Sequence, residues 1–407
     1  MLSYYTNMTA QIFFIAALFP FVSFGTNTMD SQPHYIFLAI LSFPLLIISS
    51  GLVFRKTLDL IIILMIILLT LFLTMANFDF IFIRGIASYF GFFIALIVSI
   101  IYFERFGIPV KIIVIANIIY LFIALLQMIF GVHISDILVI PNGYYSSGRG
   151  YISLTPEHTF FGIVLYFFSW IHFVIYDYKP PKLIALLIFI NILSIVFIAK
   201  SSMVIVYLAV TIFIFLLRNW KKKAIVKQIL ITTISSFIIL YIFMLISPES
   251  RVTRLITTGF LLDGLGFIDR IIALVAWDGS VNDRVLNAIF PYFGIVLNYG
   301  MPGGLNSFYD MSLTLVEYFD GYFWAGLGSN KILSFIGTFI YELGVIGVIS
   351  ILYIYWFLKD NNNPNRFFEL ILLFTVLNSA IAVAFSLIPI LIAIMYYKKS
   401  NPTSRLQ

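Results

Sequence analysis

Two clusters of side chains in this sequence have the types and spacing to do chemistry. The first is Ser147-Gly148-Arg149-Gly150-Tyr151-Ile152-Ser153-Leu154-Thr155-Pro156-Glu157-His158, which leads into an apolar run starting at Thr159. A carboxylate beside an imidazole can act as general base toward a sugar hydroxyl, and a helix start favours a bound anion. Glu157 and His158 suit the first task and Arg149 the second. The same letters also read as ordinary helix-start grammar, with Thr155 as cap, Pro156 at the first helical position and Glu157 in the first turn.

The second cluster is Gly279-Ser280-Val281-Asn282-Asp283-Arg284-Val285-Leu286-Asn287-Ala288, continuing to Pro291 and Gly294. Upstream lie Arg251 and Arg254, three apart and so on one face of a helix, and Arg270. The surroundings of Arg270 fit a re-entrant or interfacial helix over Ile268–Ala276. Downstream, Gly300, Pro302, Gly303 and Gly304 read as a flexible turn. Tyr292, Tyr299, Tyr309, Tyr318, Tyr322, Phe323 and Trp324 carry rings that stack on sugars, and such rings are equally at home at a bilayer interface. Two further groups lie within the apolar runs. Lys200 with Ser201 and Ser202 falls between two of them and has a side chain long enough to snorkel. Glu342 is an intramembrane carboxylate, serving either a site or a helix-packing hydrogen bond.

The elements that must position these residues are membrane helices. Of 407 residues, 62% are hydrophobic and 10% charged, a composition foreign to soluble domains. Most apolar runs approach the roughly 17–25 residues needed to cross a hydrocarbon core of about 30 Å. About twelve spans are expected, at 10–25, 34–53, 58–77, 81–103, 110–130, 159–176, 183–199, 203–217, 227–246, 334–358, 367–380 and 383–397. Backbone groups cannot stay unpaired in lipid, so the runs are helices; the alternating strands of a barrel are absent. The expected fold is an all-α, polytopic integral membrane protein. Helices 1–9 occupy residues 1–246 with an outer loop at 131–158. A large loop follows at 247–333, and helices 10–12 with a cytoplasmic tail occupy 334–407.

Positive residues orient the chain. Arg55 and Lys56, Arg105 and Lys111, Lys179 and Lys182, the group from Arg218 to Lys227, Lys359 and Arg366, and Lys398, Lys399 and Arg405 fall in every second connection. These connections are expected to be cytoplasmic, with both termini inside, the first run retained as a helix and a hairpin turn near Asn378–Ala382. The net charge of +6 reflects this topology and does not point to nucleic acid. Cysteine is absent, which excludes disulfides and thiolate metal sites. No Walker loop, dinucleotide fingerprint or Asp-rich nucleotide–metal motif is present.

Arginine and lysine are unevenly divided. Outside the cytoplasmic set stand Arg84, Arg149, Lys200, Arg251, Arg254, Arg270, Arg284 and Lys331. Lysine suffices to hold topology, whereas the planar fork of arginine suits phosphate. An arginine-biased outer face fits recognition of a diphosphate or an acidic sugar. Pairing with acidic neighbours such as Asp283, Asp310 and Glu317 is the competing use of the same charges.

At these residues the chain resembles the O-antigen polymerase (Wzy-type) and O-antigen ligase superfamily. The stretch from Arg149 to His158 is similar to a family segment that precedes a central helix. Ser280 to Arg284, followed by Pro291 and Gly294, resembles the arginine motif of the large periplasmic loop. Tyr341-Glu342-Leu343-Gly344-Val345-Ile346-Gly347 resembles the helix after that loop. Three features depart from the pattern: Pro156 precedes Glu157, Lys200-Ser201-Ser202 replaces a Ser-Arg-type element, and the large loop has no His where ligases typically place one. The last favours polymerase over ligase.

The resemblance implies a GT-C-like glycosyltransferase architecture in the bacterial inner membrane and metal-independent transfer on its outer face, with no cofactor. The donor would be a glycan on undecaprenyl diphosphate and the acceptor a lipid-linked repeat unit, with a chain-length regulator protein as a possible partner. Arg149 and Arg284 would bind the departing diphosphate. Arg251, Arg254, Arg270, Lys200 and Glu342 would assist in binding, and Glu157 or His158 would orient or deprotonate the acceptor hydroxyl. A ligase acting on another acceptor and a lipid-linked oligosaccharide flippase are the alternative expectations.

Overall fold

The computed structural model describes residues 2–23, 32–55, 57–75, 78–131, 138–139, 150–219, 253, 257, 266–325, 331–361, 363–379 and 381–401. Arg149, Arg251, Arg254 and the expected span at 227–246 lie outside the described residues.

Every regular element among the described residues is helical. In order they are α1 (Leu2–Leu18), α2 (His34–Arg55), α3 (Leu58–Leu73), α4 (Phe80–Phe106), α5 (Val110–Phe130) and α6 (His158–Ile175). Next come α7 (Lys182–Leu193), continued by a π-helical segment over Ser194–Ala199, and α8 (Ser202–Asn219). Then follow α9 (Phe267–Trp277), α10 (Gly279–Leu297), α11 (Phe308–Tyr318), α12 (Phe335–Leu343), α13 (Val345–Leu358), α14 (Pro364–Leu377) and α15 (Leu387–Ser400). Among the described residues, four segments are long and apolar enough to cross a membrane: Phe82–Phe106, Val110–Phe130, His158–Ile175 and Lys182–Ala199. Several shorter apolar helices accompany them, including Leu58–Leu73, Ser202–Arg218 and Val345–Leu358. This is a helical membrane protein.

The chain divides into two compact units. One comprises residues 1–10, 36–106 and 261–400, the other residues 11–35, 107–260 and 401–407. In the first unit α4 packs along α15. Both are apolar all round and buried, α4 from Phe92 to Phe103 and α15 from Leu387 to Met395. A helix with no polar face belongs in the middle of a bundle. In the second unit α6 is the central element. Phe161–Ile175 is buried apart from Phe173, and the helix packs on α5, α7, α8 and the π segment.

Three expectations need correction. The span at 334–358 is two helices. Gly344 breaks it at φ 60° and ψ −138°, a region open almost only to glycine. The loop expected at 247–333 is largely helical where it is described. Its helices α9, α10 and α11 close on a core of Val275, Leu286, Phe290, Phe308, Met311, Leu315 and Phe323, with Ile332 and Tyr341. Arg366 is not a solvated topology charge. It is buried in the first turn of α14, paired with Glu369 at 2.6 Å, and it donates from Nη2 to the Met395 carbonyl at 3.1 Å.

Candidate functional site

The site residues fall into both units. In the second unit, the strand of chain after Arg149 is fixed by two neighbours. The Tyr151 N–H donates to the Ile198 carbonyl at 2.9 Å. A Cβ at Gly150 would lie 2.2 Å from the Ala199 carbonyl oxygen, so only glycine fits there. The other neighbour is Gln127, wholly buried on α5. Its Oε1 accepts the N–H groups of Ile152 at 3.2 Å and Ser153 at 2.7 Å, and its Nε2 donates to the Ser153 carbonyl at 3.1 Å. Ser153 adds a bond from Oγ to the Tyr120 carbonyl at 2.6 Å and takes a left-handed turn at φ 53°. Sequence reading missed Gln127. An amide inside an apolar run was the available signal, because lipid-exposed amides are costly.

This anchoring changes how α6 begins. The expected cap at Thr155 is wrong: the helix starts at His158, with Glu157 in extended conformation at the N-cap position. Thr155 Oγ1 instead lies 2.7 Å from the Ile152 carbonyl and 2.8 Å from the Glu157 carbonyl. The hydroxyl therefore closes the loop on itself and leaves the first amides of α6 uncapped by it. One turn further along α6, Gly162 meets the turn after the π segment; a Cβ there would sit 2.9 Å from Ser201 Cβ.

Lys200 occupies that turn with φ 50° and ψ 37°. The residues on either side of it, Ala199 and Ser201, touch the Gly150 backbone and α6 respectively. Lys200, Glu157 and His158 are thus brought to one end of the second unit, each half-buried, and Arg149 immediately precedes the anchored glycine. π-Helical segments recur at functional sites, and here one delivers the lysine. A helix start together with an ammonium favours an anion. Glu157 and His158 supply groups able to move a proton beside it.

In the first unit, the arginine motif sits on α10. Asp278 Oδ1 caps the helix by accepting from Ser280 N–H at 3.0 Å and Val281 N–H at 2.9 Å. Asn282 and Asn287 are structural. Buried Asn282 donates to the carbonyls of Val275 and Tyr322, both at 3.1 Å, and accepts from the N–H groups of Trp324 at 2.9 Å and Ala325 at 3.0 Å. Asn287 accepts from the Leu333 N–H at 2.8 Å. Two amides thereby tie the returning chain to both ends of one turn of α10. Arg284 lies on that turn, half-buried beside Asp283. Burial lifts the Asp283 carboxyl above its ordinary range, against the opposing pull of Arg284 and of an Asn287 hydrogen bond. Arg270 is half-buried on α9, the other arm of the α9–α10 hairpin.

Glu342 makes a helix-packing hydrogen bond. Its Oε2 accepts a hydrogen bond from Tyr89 Oη on α4 at 2.8 Å, and it is 8% exposed. Next to it, Tyr341 Oη lies 2.9 Å from Ser307 Oγ. The glycine-rich turn expected to be flexible is tied down here: Gly303 and Gly304 donate to the Tyr341 and Glu342 carbonyls at 2.8 and 3.1 Å. Tyr89→Phe keeps the ring's edge contact with Phe339 at 5.0 Å and removes the donor from a buried carboxyl. The expected cost is about 1–3 kcal/mol, read as a lower thermal midpoint in detergent. An unchanged midpoint would mean that the carboxyl is supported by other groups.

The aromatic residues divide as well. Phe323 is core, whereas Tyr299, Tyr318 and Trp324 are exposed. Trp324 is nonetheless held by a bond from Nε1 to the Ala276 carbonyl at 2.8 Å, and Tyr322 Oη donates to the Ile272 carbonyl. Comparison with protein-family models, with curated proteins and with solved structures finds no match for this chain.

Proposed function

We propose that this chain is a polytopic glycosyltransferase of the O-antigen polymerase type, with about twelve spans and both ends on the cytoplasmic side of a bacterial inner membrane. It moves a glycan from a lipid diphosphate to a lipid-linked repeat unit on the outer face. The observation that carries this reading is the seating of the Gly150–Tyr151 backbone on Ile198 and Ala199, with Gly162 against Ser201. That seating brings an anion-favouring helix start, Lys200, Glu157 and His158 into one place. A diphosphate leaving group needs positive groups at its developing charge, and an acceptor hydroxyl needs a base. Both kinds of group are present there; Arg284 and Arg270 stand in the other unit, on the α9–α10 hairpin. The glycosidic donor bond is already activated by its diphosphate, so the transfer requires no nucleotide.

The test is an assay of the purified protein with two lipid-linked repeat units, one carrying a radiolabel. Chain elongation on the lipid is the expected result. Movement of label across vesicles without new bonds would replace the proposal with a flippase. Transfer only to a different acceptor would replace it with a ligase.

A further inference from the structure

Within the large loop one stretch is chemically unlike the rest: from Val285 to Tyr309 no residue is charged. It forms most of α10, the Tyr299–Gly304 turn and the start of α11. The turn is fastened to the α12–α13 break. Besides the Gly303 and Gly304 bonds, Val345 N–H donates to the Gly300 carbonyl at 3.0 Å.

From that point α13 presents Val345, Ile349, Leu352 and Trp356, at 53, 59, 52 and 62% exposure. Their spacing makes one stripe along the helix, as expected of a lipid-facing surface. At its far end the Lys359 ammonium lies 4.6 Å from the Trp356 ring centre. A tryptophan with a snorkelling lysine marks an interface edge. Val345 is then about 16 Å from Trp356 along the helix axis, inside a hydrocarbon layer of about 30 Å. The turn attached to Val345 lies at that same depth, and its outward side chains are apolar. Val296 is 71%, Leu297 50%, Tyr299 96% and Met301 67% exposed.

We propose that the tip of this turn, Tyr299 to Met301 with Val296 and Leu297, is a re-entrant element that contacts lipid acyl chains in the outer half of the bilayer. Irregular backbone at such depth must find its partners in protein. The turn does so, because the carbonyls freed at Tyr341 and Glu342 by the helix break take the Gly303 and Gly304 amides. The turn meets the end of the α13 stripe at Val345, so lipid covers both. The proposal holds whatever reaction the protein performs.

The absence of cysteine makes single-cysteine variants at Val296, Tyr299 and Met301 unique labelling sites on exposed side chains. Each variant carries a nitroxide and is reconstituted in phosphatidylcholine vesicles. Collision with oxygen, which enters lipid, is compared with collision with a nickel chelate, which stays in water. Leu352→Cys is the lipid reference and exposed Glu317→Cys the reference on the aqueous side. At Tyr299 and Met301 the oxygen-to-nickel ratio is expected to exceed that at Glu317 by about tenfold, since a polar complex partitions poorly into hydrocarbon. A ratio equal to that at Glu317 overturns the proposal by placing the tip in water. Low accessibility to both reagents overturns it by showing that protein covers the face. Val296, one turn back on α10, decides the matter if a label disturbs the tip.

Discussion

Arg284→Ala is expected to abolish polymer and leave lipid-linked single repeats to accumulate, with transfer slowed at least about 100-fold. The side chain is half-buried beside Asp283, on a helix turn that is held by Asn282 and Asn287 through backbone bonds Arg284 does not share. An unchanged thermal midpoint of the variant separates lost chemistry from lost structure. Arg284→Lys distinguishes fork from charge. Failure of the lysine variant marks bidentate contact with the diphosphate, and full rescue marks a point charge. Polymer of ordinary length from Arg284→Ala would remove Arg284 from the reaction and the arginine motif from the proposal. A mass spectrum of the lipid-linked glycans reads the polymer outcomes.

Gly344→Ala is the substitution with the largest expected effect on stability. The residue sits at φ 60° and ψ −138°, where any side chain costs about 1–3 kcal/mol. An added Cβ would also lie 2.5 Å from the Gly300 carbonyl oxygen, the acceptor of the Val345 amide. Relieving that overlap pushes the 300–304 turn away from the break, so the bonds to the Tyr341 and Glu342 carbonyls weaken together. A fall in thermal midpoint of at least about 5 °C is expected, measured in detergent by differential scanning fluorimetry. Gly321→Ala is the control, since Gly321 has φ 73° but nothing within 4 Å of an added Cβ. Equal losses at the two positions would show that backbone conformation alone accounts for the effect and that the turn is not fastened there.

Much of the helical pattern was legible from hydropathy because lipid leaves few alternatives for a long apolar segment. The runs at 110–130 and 34–53 correspond to α5 and α2 within a few residues. Boundaries failed where a helix end depends on contacts made by distant residues. Thr155-Pro156-Glu157 has good starting grammar, yet Gln127 and Ile198 claim the preceding backbone and delay α6 to His158. Likewise the glycines at 300–304 suggested freedom. The amides of Gly303 and Gly304 find their acceptors on α12, far along the chain, so the same residues form a fixed clasp.

The sequence by itself determined the solvent of this protein, its helical nature and the residue types available for chemistry, because composition and run length act locally. It also singled out Lys200 and Glu342 as unusual, since a charge in an apolar run is costly wherever it lies. Only the tertiary structure decided what each does among its neighbours. Glu342 meets Tyr89 from α4, and Lys200 stands between Gly150 and α6 because a π segment and two glycines let three backbones approach. Such approaches join residues far apart in the chain, and their geometry arises from packing, which no local pattern encodes.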